Sequence, residues 1–348
     1  MLITQSITKK ITSVLAAVAA AALSVSLLAA PAQAADTGLY GSPDPTSDGV
    51  FRQSLAILGL TASGLRPASS AVQWLKDQQC ANGAFQSYRA DTSTPCAPSD
   101  PAAFTGPDTN STALAAMALQ AAGERQGAQR AARALINGAQ RAGNTAAWPY
   151  NFGGSPDAAS TGLVVNALQS VGANTAVTAA GQRWLRARII PCPRKYGGAL
   201  RNDATSPAAN NFATAQGMLG LTSALPVTKK AAPKANPRCA GNATTRVASY
   251  LARTLTSDGI LTYSGFGGND YGSTSAAVVA LGSANLGRPG IASAVTALKR
   301  DARSWVTTDK GNNVGAAGWL LMVSATTGDN PRSFGGVNLV QTITGSIQ

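Results

Sequence analysis

Three turns of similar spelling carry the residues best suited to chemistry. Phe104-Thr105-Gly106-Pro107-Asp108, Phe152-Gly153-Gly154-Ser155-Pro156-Asp157 and Phe266-Gly267-Gly268-Asn269-Asp270 each run from an aromatic ring through glycine to an aspartate four residues ahead of a threonine (Thr112, Thr161 or Thr274). Asn210 stands in the same relation to Thr214. Two carboxyl groups brought about 6.5 to 9.5 Å apart would suit inverting glycoside hydrolysis, and Tyr263 or Tyr271 offers a base for a lyase. The same position also suits a helix N-cap, whose side-chain oxygen accepts from free backbone N–H groups. The chain contains no histidine and one glutamate, Glu124, which excludes Ser/His/Asp triads, Cys/His dyads and histidine-bearing zinc sites. Asp108, Asn110, Asp157, Asp270, Trp148, Tyr150 and Tyr271 form the candidate ligand-binding set, because apolar walls with a few polar groups are the usual make-up of a small-molecule site. Phe104, Phe152 and Phe266 are expected to plug the top of the core instead.

The elements that must hold these turns form a repeat. Ser111 to Gly123 aligns without gaps on Ser160 to Gly172, and Arg52 to Gly64, Ala213 to Leu225, Ser273 to Asn285 and Val314 to Thr326 share the frame. Leu60, Leu119, Leu168, Leu221, Leu281 and Met322 fall on one column. These six segments are apolar all round and rich in Ala and Gly, so they predict buried helices. Between them lie six amphipathic segments: Ala68 to Gln79, Gln126 to Arg141, Thr175 to Ile190, Ala243 to Leu255, Ile291 to Val306 and Val337 to Ile347. An inner and an outer ring follow, giving an all-α chain folded as an α/α toroid.

This alternation, with its Trp-Leu outer helices and Phe-Gly-Gly-x-Asp turns, resembles the prenyltransferase and squalene-oxidase repeat family over roughly Asp48 to Ile347. The resemblance implies the α/α toroid (α6/α6 barrel) of terpenoid cyclases, prenyltransferase β subunits, complement thioester domains and cobalamin carriers. It does not carry their activities. Class II cyclases place D-x-D-D-T-A at an inner-helix start; the matching string here is Asp108-Thr109-Asn110-Ser111-Thr112-Ala113, with Asn110 and Ser111 at the later acids. The prenyltransferase zinc set needs a histidine, and the thioester proteins need a Cys–Gln pair within G-C-G-E-Q; the sequence has neither. Cobalamin carriers are closer in being exported, disulfide-bonded and noncatalytic, but use a second domain over the ligand. No metal and no cofactor is expected.

Residues 1 to 34 read as a secretory leader, with Lys9-Lys10, an apolar run from Ile11 to Ala30 and an A-x-A site at Ala32-Gln33-Ala34. An extension over 35 to 47 and a toroid over 48 to 348 would follow. Four cysteines in an exported chain allow three pairings; neighbours along the chain favour Cys80–Cys96 and Cys192–Cys239. Of 348 residues, 28 are Lys or Arg and 15 Asp or Glu. With no nucleic-acid motif and the excess dispersed, an anionic envelope polymer or a small molecule is the expected partner. The densest basic run, Lys229 to Arg238, reads as a solvated linker. The sequence therefore describes a secreted, monomeric, noncatalytic binding toroid, free of the membrane once the leader is cleaved. The rival is a secreted carbohydrate-active hydrolase or lyase, or a terpenoid-processing enzyme, using the aspartates at the toroid mouth.

Overall fold

Alanine and glycine set how closely the inner helices approach one another. A computed structural model of the chain describes residues 37–173, 176–265 and 267–348; the leader, Asn174, Thr175 and Phe266 lie outside them. The inner helices are α1 (Gly49–Ala62), α3 (Thr109–Ala121), α5 (Ala158–Ser170), α7 (Asn211–Thr222), α9 (Tyr271–Ser283) and α11 (Val314–Thr327). Each packs on the next, and α11 returns to α1 to close the ring. Leu114, Ala115, Ala116, Met117, Ala118 and Leu119 of α3 are buried without a break, which a helix achieves only when surrounded by protein. At Gly318 a Cβ would run into the Leu55 carbonyl, and at Gly162 into that of Gln216. Backbone meets backbone at these two seams, α1 with α11 and α5 with α7, and a larger residue would force them apart.

The outer helices are α2 (Ser69–Asp77), α4 (Arg125–Asn137), α6 (Ala176–Arg186), α8 (Ala243–Asp258), α10 (Arg288–Val306) and α12 (Leu339–Thr344), each against the inner helix before it. They bury one stripe only. In α4 this is Gly127, Ala128, Ala131, Ala132 and Leu135, spaced by three and four residues as amphipathic packing requires.

All twelve expected helices are present, and their ends differ. The inner helices α3, α5, α7 and α9 start two residues earlier than expected, since the capping residue sits directly before the first turn. The segment Gln126 to Arg141 does not stay helical: α4 stops at Gly138, and β1 (Gln140–Ala142) pairs antiparallel with β2 (Thr145–Ala147), Arg141 facing Ala146. A second small hairpin joins β3 (Thr307–Thr308) to β4 (Gly311–Asn312). The expected last helix, Val337 to Ile347, shortens to α12, because its ends are used elsewhere. Ser346 and Gln348 accept from the N–H groups of Gly41 and Gly38, and Gln348 donates to Leu39. Tyr40, 1% exposed, sits in this seam. Residues Gly38 to Gly41 of the stretch read as an N-terminal extension are thus joined to the end of the chain.

Both disulfides join the neighbouring pairs, Cys80 with Cys96 and Cys192 with Cys239, across 16 and 47 residues of chain. On the chain-entropy model closures of this size contribute about 3 and about 4 kcal/mol. Two disulfides point to a non-reducing environment. Among the described residues no helix is long and apolar enough to cross a membrane.

Candidate binding site

One device, repeated, sets the loops over the N-terminal mouth of the toroid. The hydroxyls of Thr112, Thr161, Thr214 and Thr274 accept from the backbone N–H of Phe85, Trp148, Leu200 and Leu261 at 2.9 to 3.0 Å. Thr112, Thr214 and Thr274 donate in turn to the carbonyl of the capping residue four positions back, and Thr161 to that of Trp148. In α1 the amide of Gln53 takes over, accepting from Tyr40 N–H at 2.8 Å. The repeated threonine therefore ties an incoming extended segment to its helix. Neighbouring copies are then stitched together: Thr109 N–H donates to the Tyr150 carbonyl, Ala158 N–H to that of Asn202, and Asn211 N–H to Ser264 Oγ. Six inner helices in parallel thus present one continuous rim of loops.

The aspartates are committed to their own helices. Asp108 Oδ1 accepts from Ser111 N–H at 2.6 Å. Asp157 accepts from the N–H and the hydroxyl of Ser160, both at 2.8 Å. Asp270 accepts from the same two groups of Ser273, at 2.9 and 2.5 Å. Asn210 caps α7 through Ala213 N–H. Asp108 and Asp270 are 2% and 3% exposed. Burial pushes the Asp108 carboxyl up to about 6 against the opposing bonds from Ser111 and Asn110, and it raises Asp157 in the same way. The Asp108 carboxyl thus holds its proton more tightly than a free carboxyl does. Beside it, Tyr150 is pushed up to about 12, by burial first and by the Asp108 charge second.

The remaining candidates divide between core and surface. Trp148 is fully buried, and its Nε1 donates to the Leu135 carbonyl at 2.7 Å; it is a core residue with no face for a ligand, a correction to its place in the candidate set. Asn110 is buried as well. The Tyr271 hydroxyl donates to Asp301 and accepts from Asn269, and its ring packs 5.3 Å from that of Trp305. Tyr150 stays at the surface, 41% exposed. Phe104 does not plug the core: it is 73% exposed, its ring 6.4 Å from that of Tyr150. Phe152 is partly buried under Gly138, and Phe266 lies outside the described residues.

Among the described residues, the large hydrophobic side chains left exposed are Phe104, Tyr150, Tyr196, Phe212 and Tyr263. All five lie on the loops or first turn that enter α3, α5, α7 and α9, so the N-terminal mouth carries a belt of open aromatic faces. Phe104 and Tyr196 hold positive φ angles of 54° and 63°, a left-handed conformation that costs an ordinary residue about 1 kcal/mol. Between the loops entering α7 and α9 opens a groove of about 810 Å³. Arg194, Lys195 and Arg201 line it with Tyr196, Tyr250 and Tyr263, and among the described residues no carboxylate does. Of the groove's side chains the sequence singled out Tyr263 alone, and neither Tyr196 nor the cations. Arg194 and Lys195 are a short adjacent pair and Arg201 stands six residues on, while the more conspicuous run at Lys229 to Arg238 lies across the other mouth, where Ala231 N–H donates to Thr326 and Lys234 N–H to Asn285.

No protein-family model matches the sequence, and no curated protein matches it. Solved structures match the fold. The ent-copalyl diphosphate synthase from Streptomyces platensis aligns with a TM-score of 0.52 and 19% identity over 80% of this chain, which spans 50% of the length of that synthase. Structures of the type II terpene cyclase MstE from Scytonema align with TM-scores of 0.56 at 18% identity, over 83% of this chain and 77% or 78% of theirs. One is free of ligand and one holds geranylgeranyl dihydroxybenzoate, named as its substrate. The chain has the α/α toroid fold of these terpenoid cyclases.

Proposed function

We propose that this chain is an exported, noncatalytic binding toroid, which presents an aromatic and basic rim at its N-terminal mouth to a ligand or partner outside the cell. The observation that carries the reading is the fate of the carboxylates. Asp108, Asp157 and Asp270 each fold back onto the first turn of their own helix, and Asn110 and Ser111 follow Asp108 where a cyclase string would continue with acids. A carboxylate engaged by the first-turn N–H and hydroxyl groups of its own helix is occupied as a cap rather than offered to a substrate. The open rings of Phe104, Tyr150 and Tyr263 supply contact area at low entropic cost, the usual role of aromatic side chains in recognition. The disulfides and the leader-like start agree with export.

The test uses the purified mature chain. Thermal shift against lipids, corrinoids and glycans should find a stabilising class, and Phe104→Ala with Tyr150→Ala or Tyr263→Ala should reduce that shift. Incubation with geranylgeranyl dihydroxybenzoate should return it unchanged. Cyclised product that disappears in Asp108→Asn would overturn the reading in favour of a terpenoid-processing enzyme.

A further inference from the structure

The groove between the α7 and α9 entry loops has a chemistry that narrows the ligand. Arg194, Lys195 and Arg201 bring three positive charges to one concavity. Among the described residues none of them has a carboxylate within ion-pair distance, although Arg52, Lys76, Lys299 and Arg300 elsewhere all do. Behind the wall stands a fourth cation: Arg188, stacked 4.1 Å over the Trp184 ring, is held below its usual range by burial and then by the neighbouring Arg201 charge. Asp203, whose charge acts on Arg188, does not line the groove and accepts from the N–H groups of Thr205 and Ser206 and the Thr205 hydroxyl, at 2.7 to 2.8 Å. Like charges that outnumber their counter-charges in one concavity raise a local potential that an anion relieves.

The walls are aromatic. Tyr196 and Tyr263 are each half exposed, and Lys195 Nζ lies 4.9 Å over the Tyr196 ring. Tyr250 contributes a hydroxyl already oriented by its bond to Asn211 Oδ1 at 2.8 Å. The turn that aims Tyr196 is tightly specified: a Cβ on Gly197 would strike the Cys192 carbonyl and one on Gly198 that of Arg246, while Cys192 itself is anchored to Cys239. A tyrosine face matches the apolar C–H face of a pyranose ring, and its hydroxyl meets the ring's polar edge. The groove wall depends on a disulfide, so the site exists in an oxidising compartment, where acidic polymers of sugars are at hand and nucleic acids are not its natural company.

Resting on the binding reading above, we propose that this groove binds an acidic oligosaccharide, whose rings lie on Tyr196 and Tyr263 and whose carboxylates meet Arg194, Lys195 and Arg201. The probe is a galacturonic acid hexamer titrated calorimetrically into the mature chain at about 50 and about 300 mM salt, beside a neutral glucose hexamer and oligo-dT. The acidic hexamer should bind and weaken at the higher salt, and the neutral hexamer should bind at least about tenfold more weakly. Arg194→Ala with Arg201→Ala should weaken binding about tenfold or more, and so should Tyr196→Ala with Tyr263→Ala. Lys229→Ala with Lys234→Ala, at the other mouth, should leave it unchanged, and unaltered melting temperatures would show all variants folded. Equal binding of the neutral hexamer, tighter binding of oligo-dT, or equal weakening by the Lys229 and Lys234 pair would overturn the assignment. No heat with the hexamer, together with a thermal shift by another ligand that Phe104→Ala and Tyr150→Ala reduce, would retire the groove assignment and leave the binding reading standing; no shift with any class would retire both.

Discussion

The mouth of the toroid has two unlike halves built on one frame. Over α3 and α5 the caps are Asp108 and Asp157, the loop into α3 is pinned by Cys80–Cys96, and the carboxylates are buried or nearly so. Over α7 the cap is the neutral Asn210, the incoming loop is long and pinned by Cys192–Cys239, and the side chains that reach solvent are cations and tyrosines. Asp108, Asp157 and Asp270 all serve as helix N-caps, whereas the open, charged concavity borders the entry loop of α7, whose cap is the neutral Asn210. A side chain consumed by its own backbone is unavailable to a ligand, whatever its chemistry.

The largest expected effect tests the pinned loop. Cys192→Ala with Cys239→Ala should lower unfolding free energy by about 4 kcal/mol, and Cys80→Ala with Cys96→Ala by about 3 kcal/mol, read from urea titration. Binding of the acidic hexamer should fall with the first pair and survive the second. If both pairs affect binding alike, the two halves are not functionally distinct. A smaller effect, of opposite sign at neutral pH, comes from the buried acid. Asp108 has a folded-state pKa near 6, above the 3.8 of a free carboxyl. The folded chain therefore keeps a proton that the unfolded chain loses between about pH 4 and 6, and stability falls as pH rises through that window, by about 3 kcal/mol in all. Asp108→Asn keeps a good cap and removes the titration. Relative to wild type the variant should gain stability progressively from pH 4 to 6, by at most about 3 kcal/mol. A variant equally destabilised at both pH values would show that the carboxylate, not merely the cap, is needed.

The fold was legible because the inner helices repeat an apolar, small-residue pattern whose six leucine or methionine positions share a column, alternating with six amphipathic segments. The caps were legible for the same local reason: Asp or Asn four residues before Thr is a short-range signal. What escaped was everything set by distance. Trp148 stands in a loop, beside exposed Tyr150, yet points into the core to meet Leu135; nothing local separates the two. Phe104 shares its turn pattern with Phe152 but adopts a left-handed backbone and faces water. The groove unites Arg194 and Arg201 of one connection with Tyr250 of α8 and Tyr263 of the connection that follows it, and a sequence scan for basic runs is drawn instead to Lys229 through Arg238, a strap across the far mouth.

The smallest expected effect asks whether the two halves truly share a frame. Thr112→Val and Thr214→Val each keep the side-chain shape and remove a hydroxyl that accepts from a buried backbone N–H, that of Phe85 or Leu200, and donates to the cap carbonyl. Leaving that N–H unpaired costs about 1 to 3 kcal/mol, so both variants should lose a similar amount of stability. Their binding should differ. Leu200 precedes Arg201 directly, and freeing its N–H loosens the wall on which that guanidinium sits, so Thr214→Val should weaken the acidic hexamer severalfold while Thr112→Val leaves it unchanged. Equal stability losses with unequal binding would place the frame in the repeat and the function in one sector of it; unequal stability losses would mean that the threonine device is not the common support of the rim.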